Sequence, residues 1–296
     1  MALNPSPRNP GPSWGFRFLT WADAWLPSPL FNGLLGAGTA VAVAAMPAAR
    51  GHSRKYLAQL RGRPARGIEV WRHFFSFARS LVRSLRAGRG RPPRCQPGIG
   101  FEAFFALVNS GRPALFGTFH FGDSDLIGFL LPDFHRHIAM VRQRVANSSD
   151  TDELGRQFGQ WVRFIWSNDT EGLLFALKSA LDAGDSIALK CDRPEHSARL
   201  EAFYFLGARR LFPFTIYHLA FIFRLPVVFC LGLPLSRVET AVVSSPVFEP
   251  GDSDKEAGLA RAREHFQGVL TWLEASLRQN PYLWFNFTPL NPESAC

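Results

Sequence analysis

Two rhythms of apolar and polar positions run along this chain, and they divide it near residue 94. Beyond that point, short apolar runs alternate with stretches of helical period. The runs Ala114 to Phe119, His137 to Val141, Ser186 to Cys191, Leu200 to Leu206 and Val227 to Gly232 predict strands. Val238 to Val243 pairs with the last of these as a hairpin, and Tyr282 to Phe287 closes the chain as an aromatic strand. Helical spacing predicts helices over Asp123 to Leu131, Asp152 to Val162, Glu171 to Ala183, Phe214 to Arg224 and Lys255 to Leu277. Asn168 to Thr170 caps the third of these and Gly184 stops it. Strands and helices in alternation predict an α/β domain with a mixed central sheet flanked by helices.

The first ninety residues follow another pattern. No charged residue occurs from Ala24 to Ala49, and as a helix Leu30 to Ala49 is about 30 Å long, the thickness of a bilayer's hydrocarbon core. Gly33, Gly36, Gly38, Asn32 and Pro47 dilute it, so an in-plane or re-entrant segment stands beside a true span. Arg50, Arg54, Lys55, Arg61, Arg63 and Arg66 follow as the basic flank that the positive-inside rule assigns to the cytoplasm. The Pro/Asn-rich residues before this stretch do not read as a signal peptide. Ile68 to Leu85 has Trp71, Phe74, Phe75, Ala78, Leu81, Val82 and Leu85 on one face and arginines on the others, a basic amphipathic helix. It either packs on the core with a solvated arginine face or lies on anionic lipid headgroups. Arg89 to Gly98 reads as a linker. Two regions follow: a helical, membrane-attaching segment over 1–94 and an α/β domain over 95–296.

Composition sharpens this division. The chain of 296 residues is 47% hydrophobic, enough for a real core, and carries a net charge of +9. Residues 1–94 hold 15 Lys or Arg against Asp23 and Glu69 alone, whereas the rest is slightly acidic. The basic end therefore meets an anionic surface. Lipid is favoured over nucleic acid, because no helix-turn-helix, RNP or zinc signature accompanies the charge. Cys95, Cys191, Cys230 and Cys296 form no C-x-x-C pair, which fits a reducing cytoplasmic setting.

Several motifs lack the context that would give them meaning. Gly11-Pro12-Ser13-Trp14-Gly15 has the form of a serine-hydrolase elbow but sits in a Pro-rich leader. Gly98-Ile99-Gly100-Phe101-Glu102-Ala103 has the form of a dinucleotide fingerprint but follows Pro97 in a linker. Asp133, His135 and His137 read as a polar turn, and no metal or other cofactor is expected. The informative spot is His120, which ends an apolar strand, with Asp125 five residues on. One helical turn brings that carboxylate beside the imidazole, fixing its tautomer and leaving the other nitrogen as a general base. A second H-x4-D/E match, His196 with Glu201, lies in a polar loop. On spacing alone, a capping aspartate and a histidine satisfied by its surroundings explain the pair at His120 as well.

A wider set of residues carries a resemblance. It comprises Trp14-Gly15-Phe16-Arg17, Trp71-Arg72-His73-Phe74, the H-x4-D of His120 and Asp125, Lys190-Cys191-Asp192-Arg193-Pro194, Phe205-Leu206-Gly207, Leu225-Pro226-Val227-Val228 and Pro281 to Phe287. In this order and spacing the chain resembles the lysophospholipid acyltransferase superfamily. Within it, the chain is similar to bacterial lipid A biosynthesis (lauroyl/myristoyl) acyltransferases and relatives linked to aryl polyene lipids.

The resemblance implies a glycerol-3-phosphate acyltransferase-like fold at the cytoplasmic face of the bacterial inner membrane. It implies transfer of a fatty acyl group from acyl-carrier protein or acyl-CoA to a lipid hydroxyl or amine, with no cofactor. His120 matches the family's base and Asp125 its orienting acid. Arg142 or Arg144 matches a basic residue near a substrate phosphate. Lys190, Asp192 and Arg193 match a loop after a central strand, and Phe205, Gly207 and Pro213 a block that shapes the substrate groove. Asp123 and Ser124 stand where many relatives have Asn and a large side chain. That second carboxylate either competes with Asp125 for His120 or marks a different acceptor, and it raises the alternative of a non-catalytic lipid-binding or scaffolding member of the same fold.

Overall fold

A computed structural model of the chain describes residues 13–128, 136–143, 161–167, 172–194, 197, 199–251 and 254–293. Four helices lead: α1 (Ser13–Trp25), α2 (Ser28–Ala45), α3 (Pro47–Arg61) and α4 (Gly67–Ala87). The expected apolar segment of Leu30 to Ala49 is cut at Met46, because Pro47 lacks the N–H a continuing helix needs and instead opens α3. At 18 residues, about 27 Å, α2 is the helix among the described residues that is long and apolar enough to cross a membrane. The basic amphipathic helix is α4, as expected. Its start is a capping box in which Glu69 accepts from the Arg66 N–H while pairing with Arg61 at the end of α3 and Arg63 in the loop that follows.

The body holds β1 (Arg94–Pro97), α5 (Phe101–Asn109), β2 (Leu115–Thr118), β3 (Ile138–Arg142), β4 (Val162–Trp166), α6 (Leu173–Asp182) and β5 (Ser186–Lys190). After these come β6 (Leu200–Phe205), β7 (Ala208–Pro213), α7 (Thr215–Phe223), β8 (Val227–Pro234), β9 (Glu239–Ser244) and α8 (Lys255–Gln279). Seven strands form one mixed sheet in the order β1-β9-β8-β2-β5-β3-β4, parallel throughout except for the β8–β9 hairpin. β6 and β7 form a separate antiparallel hairpin. The fold is thus α/β with a mostly parallel sheet flanked by helices.

Some expectations fail locally. The linker over Arg89 to Gly98 contains β1, which pairs parallel with β9 at the sheet's edge, the position where strand prolines are tolerated. Gly98 and Gly100 therefore do follow a strand and precede a helix. A Cβ on either would strike the β9 backbone at Val242 or Ser244, so close strand packing accounts for both. The helix expected from Asp123 is a single 3₁₀ turn over 124–128, and the rest of it lies outside the described residues. So does 152–160 of the helix expected there, whose last residue, Val162, instead starts β4. Tyr282 to Phe287 is not a strand. It makes one bridge, Trp284 to Phe121, because its residues turn to pack separately against α4 and the hairpin.

The hydrophobic core does not divide at residue 94. One cluster takes Tyr56, Leu57, Val70 and Phe74 from the N-terminal helices and Phe119, Phe229, Leu270 and Trp284 from the body. α4 is consequently an inner element, with α1, α2 and α3 packed on it and the turn after β2 held against its Ser80 and Arg83.

Candidate functional site

The site forms where β2, β5 and β3 end side by side. Thr118 and Lys190 are register partners at the ends of β2 and β5, and Met140 of β3 pairs with Ala188. The C-terminal edge of a parallel sheet is where such folds gather functional side chains. Here it brings together His120, Asp125, Arg142, Lys190, Asp192 and Arg193.

The imidazole of His120 is oriented by Asp192, which corrects the expectation from spacing. Nδ1 lies 2.7 Å from Asp192 Oδ1, while the His120 backbone N–H donates to Oδ2 at 2.8 Å. Trp284 adds a third donor, its Nε1 lying 2.9 Å from the same Oδ2. Burial alone would raise the Asp192 carboxyl, but His120, Trp284 and Arg193 hold it far below the usual carboxylate range. An ionised carboxylate accepts only, so Nδ1 carries the proton and Nε2 presents a lone pair. Nε2 has no hydrogen bond among the described residues. Burial pushes His120 down to about 4, against the pull of Asp192 and helped by the charges of Lys190 and Arg193. The ring is neutral at neutral pH.

Asp125 is close by but otherwise engaged. Its Oδ1 pairs with Lys190 Nζ at 2.7 Å, on a half-exposed side chain. Crowding by the protein would raise this carboxyl, yet Lys190 and Arg142 hold it at about 2. Asp125 sits in the 3₁₀ turn after β2, and that turn carries its carboxylate to the β5 ammonium rather than back to the ring.

Asp123 points the opposite way. It is buried, accepts from Arg83 Nε at 2.9 Å and Ser80 Oγ at 3.2 Å on α4, and accepts from Thr240 Oγ1 at 2.7 Å on β9. It therefore does not compete for His120. Ser124 is likewise spent internally: its hydroxyl donates to the Phe121 carbonyl at 2.6 Å and accepts from the Gly232 N–H.

Arg142 ends β3 with its guanidinium 5.1 Å from the Phe164 ring centroid, its charge felt at Asp125. Arg144 lies outside the described residues. Arg193 follows Asp192, and its Nε is buried without a hydrogen-bond partner among the described residues. Phe205 is one layer removed, edge-on to Trp284 at 5.4 Å. Gly207 forms the two-residue β6–β7 turn with Leu206, both at positive φ, as such a hairpin requires. Leu206 is held there by Glu274 and Gln59. Pro213 ends β7 opposite Leu200. Neither Gly207 nor Pro213 has a hydrogen bond to the His120–Asp192 pair.

Trp284 is the residue that sequence reasoning named only as part of a block. Its ring braces Asp192, and its carbonyl accepts from the buried His73, whose other nitrogen meets Ser53 Oγ at 2.8 Å. The Phe285 N–H donates to the His120 carbonyl at 2.7 Å, so the C-terminal segment fixes both members of the dyad. This arrangement can hold a neutral imidazole in one tautomer, accept a proton at Nε2 and stabilise the imidazolium that results. No protein-family model matches the chain, and neither does any curated protein. The geometry of the site thus carries the functional argument.

Proposed function

We propose that this chain is a membrane-associated acyltransferase of the lysophospholipid acyltransferase type, with that superfamily's glycerol-3-phosphate acyltransferase-like fold. It moves a fatty acyl group from an acyl-carrier protein or acyl-CoA thioester to a lipid hydroxyl or amine at the cytoplasmic face of the bacterial inner membrane. The observation that carries the reading is the His120–Asp192 pair with Nε2 unengaged. In the reaction, Nε2 takes the proton of the acceptor as its oxygen or nitrogen attacks the thioester carbonyl. The tetrahedral oxyanion collapses, the carbon–sulfur bond breaks, and the thiolate recovers the proton from the imidazolium. Asp192 steadies that cation throughout.

Other features support the reading. Arg193 stands beside the dyad with an unused buried N–H, and Lys190 and Arg142 add positive charge suited to a phosphate on donor or acceptor. Only α4 separates the turn after His120 from the apolar α1 and α2, about one helix diameter. The departures at Asp123 and Ser124, which raised a non-catalytic alternative, are absorbed by internal hydrogen bonds.

The test is a mass-spectrometric search for a new acylated lipid. Purified protein is mixed with acyl-carrier protein or acyl-CoA thioesters and a bacterial lipid extract, beside His120→Ala. A product from the wild type alone is expected. No product with either donor, from folded protein, overturns the reading.

A further inference from the structure

A buried imidazole is costly unless both of its nitrogens are satisfied, and at His73 on α4 both are. Nε2 lies 2.7 Å from the Trp284 carbonyl and Nδ1 2.8 Å from Ser53 Oγ on α3. A carbonyl only accepts, so Nε2 carries the proton and Nδ1 accepts from the serine hydroxyl. The ring is stacked on Phe287 at 4.5 Å and tilted against Tyr56 at 5.4 Å. α3 and α4 thus hold it in one tautomer and one orientation. An apolar side chain would fill the space without the desolvation cost, so what a histidine adds here is the hydrogen bond to Trp284.

The Trp284 carbonyl belongs to the same peptide group as the Phe285 N–H, which donates to the His120 carbonyl at 2.7 Å. That peptide is trans, so its two groups point in opposite directions. A single peptide plane therefore joins His73 on one side to His120 on the other, and each hydrogen bond in such a chain polarises the next. The carbonyl also accepts from the Asn286 N–H at 2.8 Å, a bond within the segment that turns with it. Among the described residues, His73 is the hold on this plane from outside the site. The Trp284 side chain leaves the same segment and donates to Asp192 Oδ2 at 2.9 Å. A rotation of the plane disturbs the backbone of His120 and the carboxylate that orients its ring together.

We propose that His73 is a positioning residue for the His120–Asp192 pair, acting through the Trp284–Phe285 peptide, and that Ser53 fixes its tautomer. α3 and α4 are then part of the catalytic unit as well as a support for it. The kinetic consequence rests on the acyltransferase reading, whereas the state of the pair is measured without turnover.

The test compares His73→Asn, whose short amide keeps a partner for Ser53 but does not reach the Trp284 carbonyl, with His73→Gln, whose amide nitrogen does. An imidazole Nδ1–H bonded to a carboxylate gives a far-downfield proton resonance, which His120→Ala assigns by its loss. This resonance should move upfield or vanish in His73→Asn and stay in place in His73→Gln. With thioester donor and lipid acceptor, His73→Asn should lower kcat about 10- to 100-fold while KM changes less than about twofold, because the base is displaced and the binding contacts are not. His73→Gln should recover most of that loss. Ser53→Ala should show a smaller loss of the same kind, and it decides the matter where His73→Asn does not fold. Tyr56→Phe removes another buried bond to the same segment, from the hydroxyl to the Pro281 carbonyl at 3.0 Å, and is the control for simple loosening. Three results overturn the proposal: an unchanged resonance and kcat in His73→Asn, or in Ser53→Ala if that variant must stand in; equal losses in His73→Asn and His73→Gln; or an equal drop in kcat from Tyr56→Phe. A wild type that makes no product overturns the acyltransferase reading instead, and the resonance alone then decides whether His73 sets the pair.

Discussion

Asp192 grips His120 twice, through the imidazole Nδ1 at 2.7 Å and the backbone N–H at 2.8 Å, although 72 residues separate the two in sequence. Asp125, five residues away, is tied to Lys190 instead. Replacing the two acids separates their roles. Asp192→Asn should lower kcat by about 10³–10⁴-fold, because the amide no longer holds the reactive tautomer or balances the imidazolium. Asp125→Asn should cost about tenfold or less. Steady-state kinetics of both variants, with near-ultraviolet circular dichroism as the fold control, decides this, and equal losses would restore Asp125 as the orienting acid.

The pH profile carries a second prediction. Burial, assisted by Lys190 and Arg193, holds His120 at about 4, so the proposed base is protonated only in acid. The acid limb of kcat/KM should fall near that value rather than at the 6.5 of an ordinary imidazole. Lys190→Met removes one nearby positive charge and frees the Asp125 carboxylate, and both changes favour the imidazolium. The limb should therefore move to higher pH in that variant; a limb that stays put would separate Lys190 from the ring's electrostatics.

A third prediction concerns Asp123. Its carboxylate joins α4 to β9 through Arg83, Ser80 and Thr240, and the Arg83 and Asp123 side chains are 6% and 0% exposed. Asp123→Ala strands the guanidinium and should destabilise the fold by about 3–5 kcal/mol, read from urea unfolding. The acid limb of the surviving folded protein should not move. A shifted limb with little loss of stability would place Asp123 in the site after all.

How far the sequence disclosed this architecture depends on the range of the interaction. β2, β5 and β8 were legible because buried parallel strands are short continuous apolar runs, and α4 and α8 because their periods are long. β1 was hidden by Pro92, Pro93 and Pro97, and β7 by Arg209 and Arg210, the latter buried through a 3.0 Å pair with Glu293. His120 could be found because a histidine closing a strand is a local signal. Its partner could not, since Asp192 reaches it only after β2 and β5 pair. The useful hint was positional: an acid just past the end of a neighbouring strand competes with the acid nearest in sequence.

His73 gives stability its own pH dependence. It is fully buried, with Nε2 bonded to the Trp284 carbonyl, and burial pushes it down to about 4. The unfolded chain takes up this proton near 6.5, the folded chain only near 4. Its contribution is complete above 6.5 and is lost as pH falls toward 4. His120, His218 and His265 are shifted in the same direction, so the whole slope exceeds one proton. In His73→Gln the rise of unfolding free energy between about pH 5 and 6.5 should flatten by about one proton. An unchanged slope in urea titrations would show that His73 ionises freely in the folded state.

Gly232 tests whether the turn after β2 sets the position of His120. Its carbonyl accepts from the Asp123 N–H at 2.8 Å and its N–H donates to Ser124 Oγ at 3.1 Å, a close approach that only a bare Cα allows. A Cβ at this position would lie 2.5 Å from the Asp123 carbonyl carbon and 2.8 Å from the Ser124 nitrogen. Both are backbone atoms, so Gly232→Ala must displace the turn rather than a side chain. The displacement reaches His120 directly, because the turn begins at its carboxyl side while Phe285 and Asp192 hold its carbonyl and N–H in place. A shift of about 1 Å at a catalytic group costs on the order of 100-fold in rate. Gly232→Ala should therefore lose activity far beyond what its loss of stability, about 1–3 kcal/mol, removes in folded protein at ambient temperature. Activity per folded molecule is the decisive measurement, and a normal value would mean that the turn moves without carrying the imidazole.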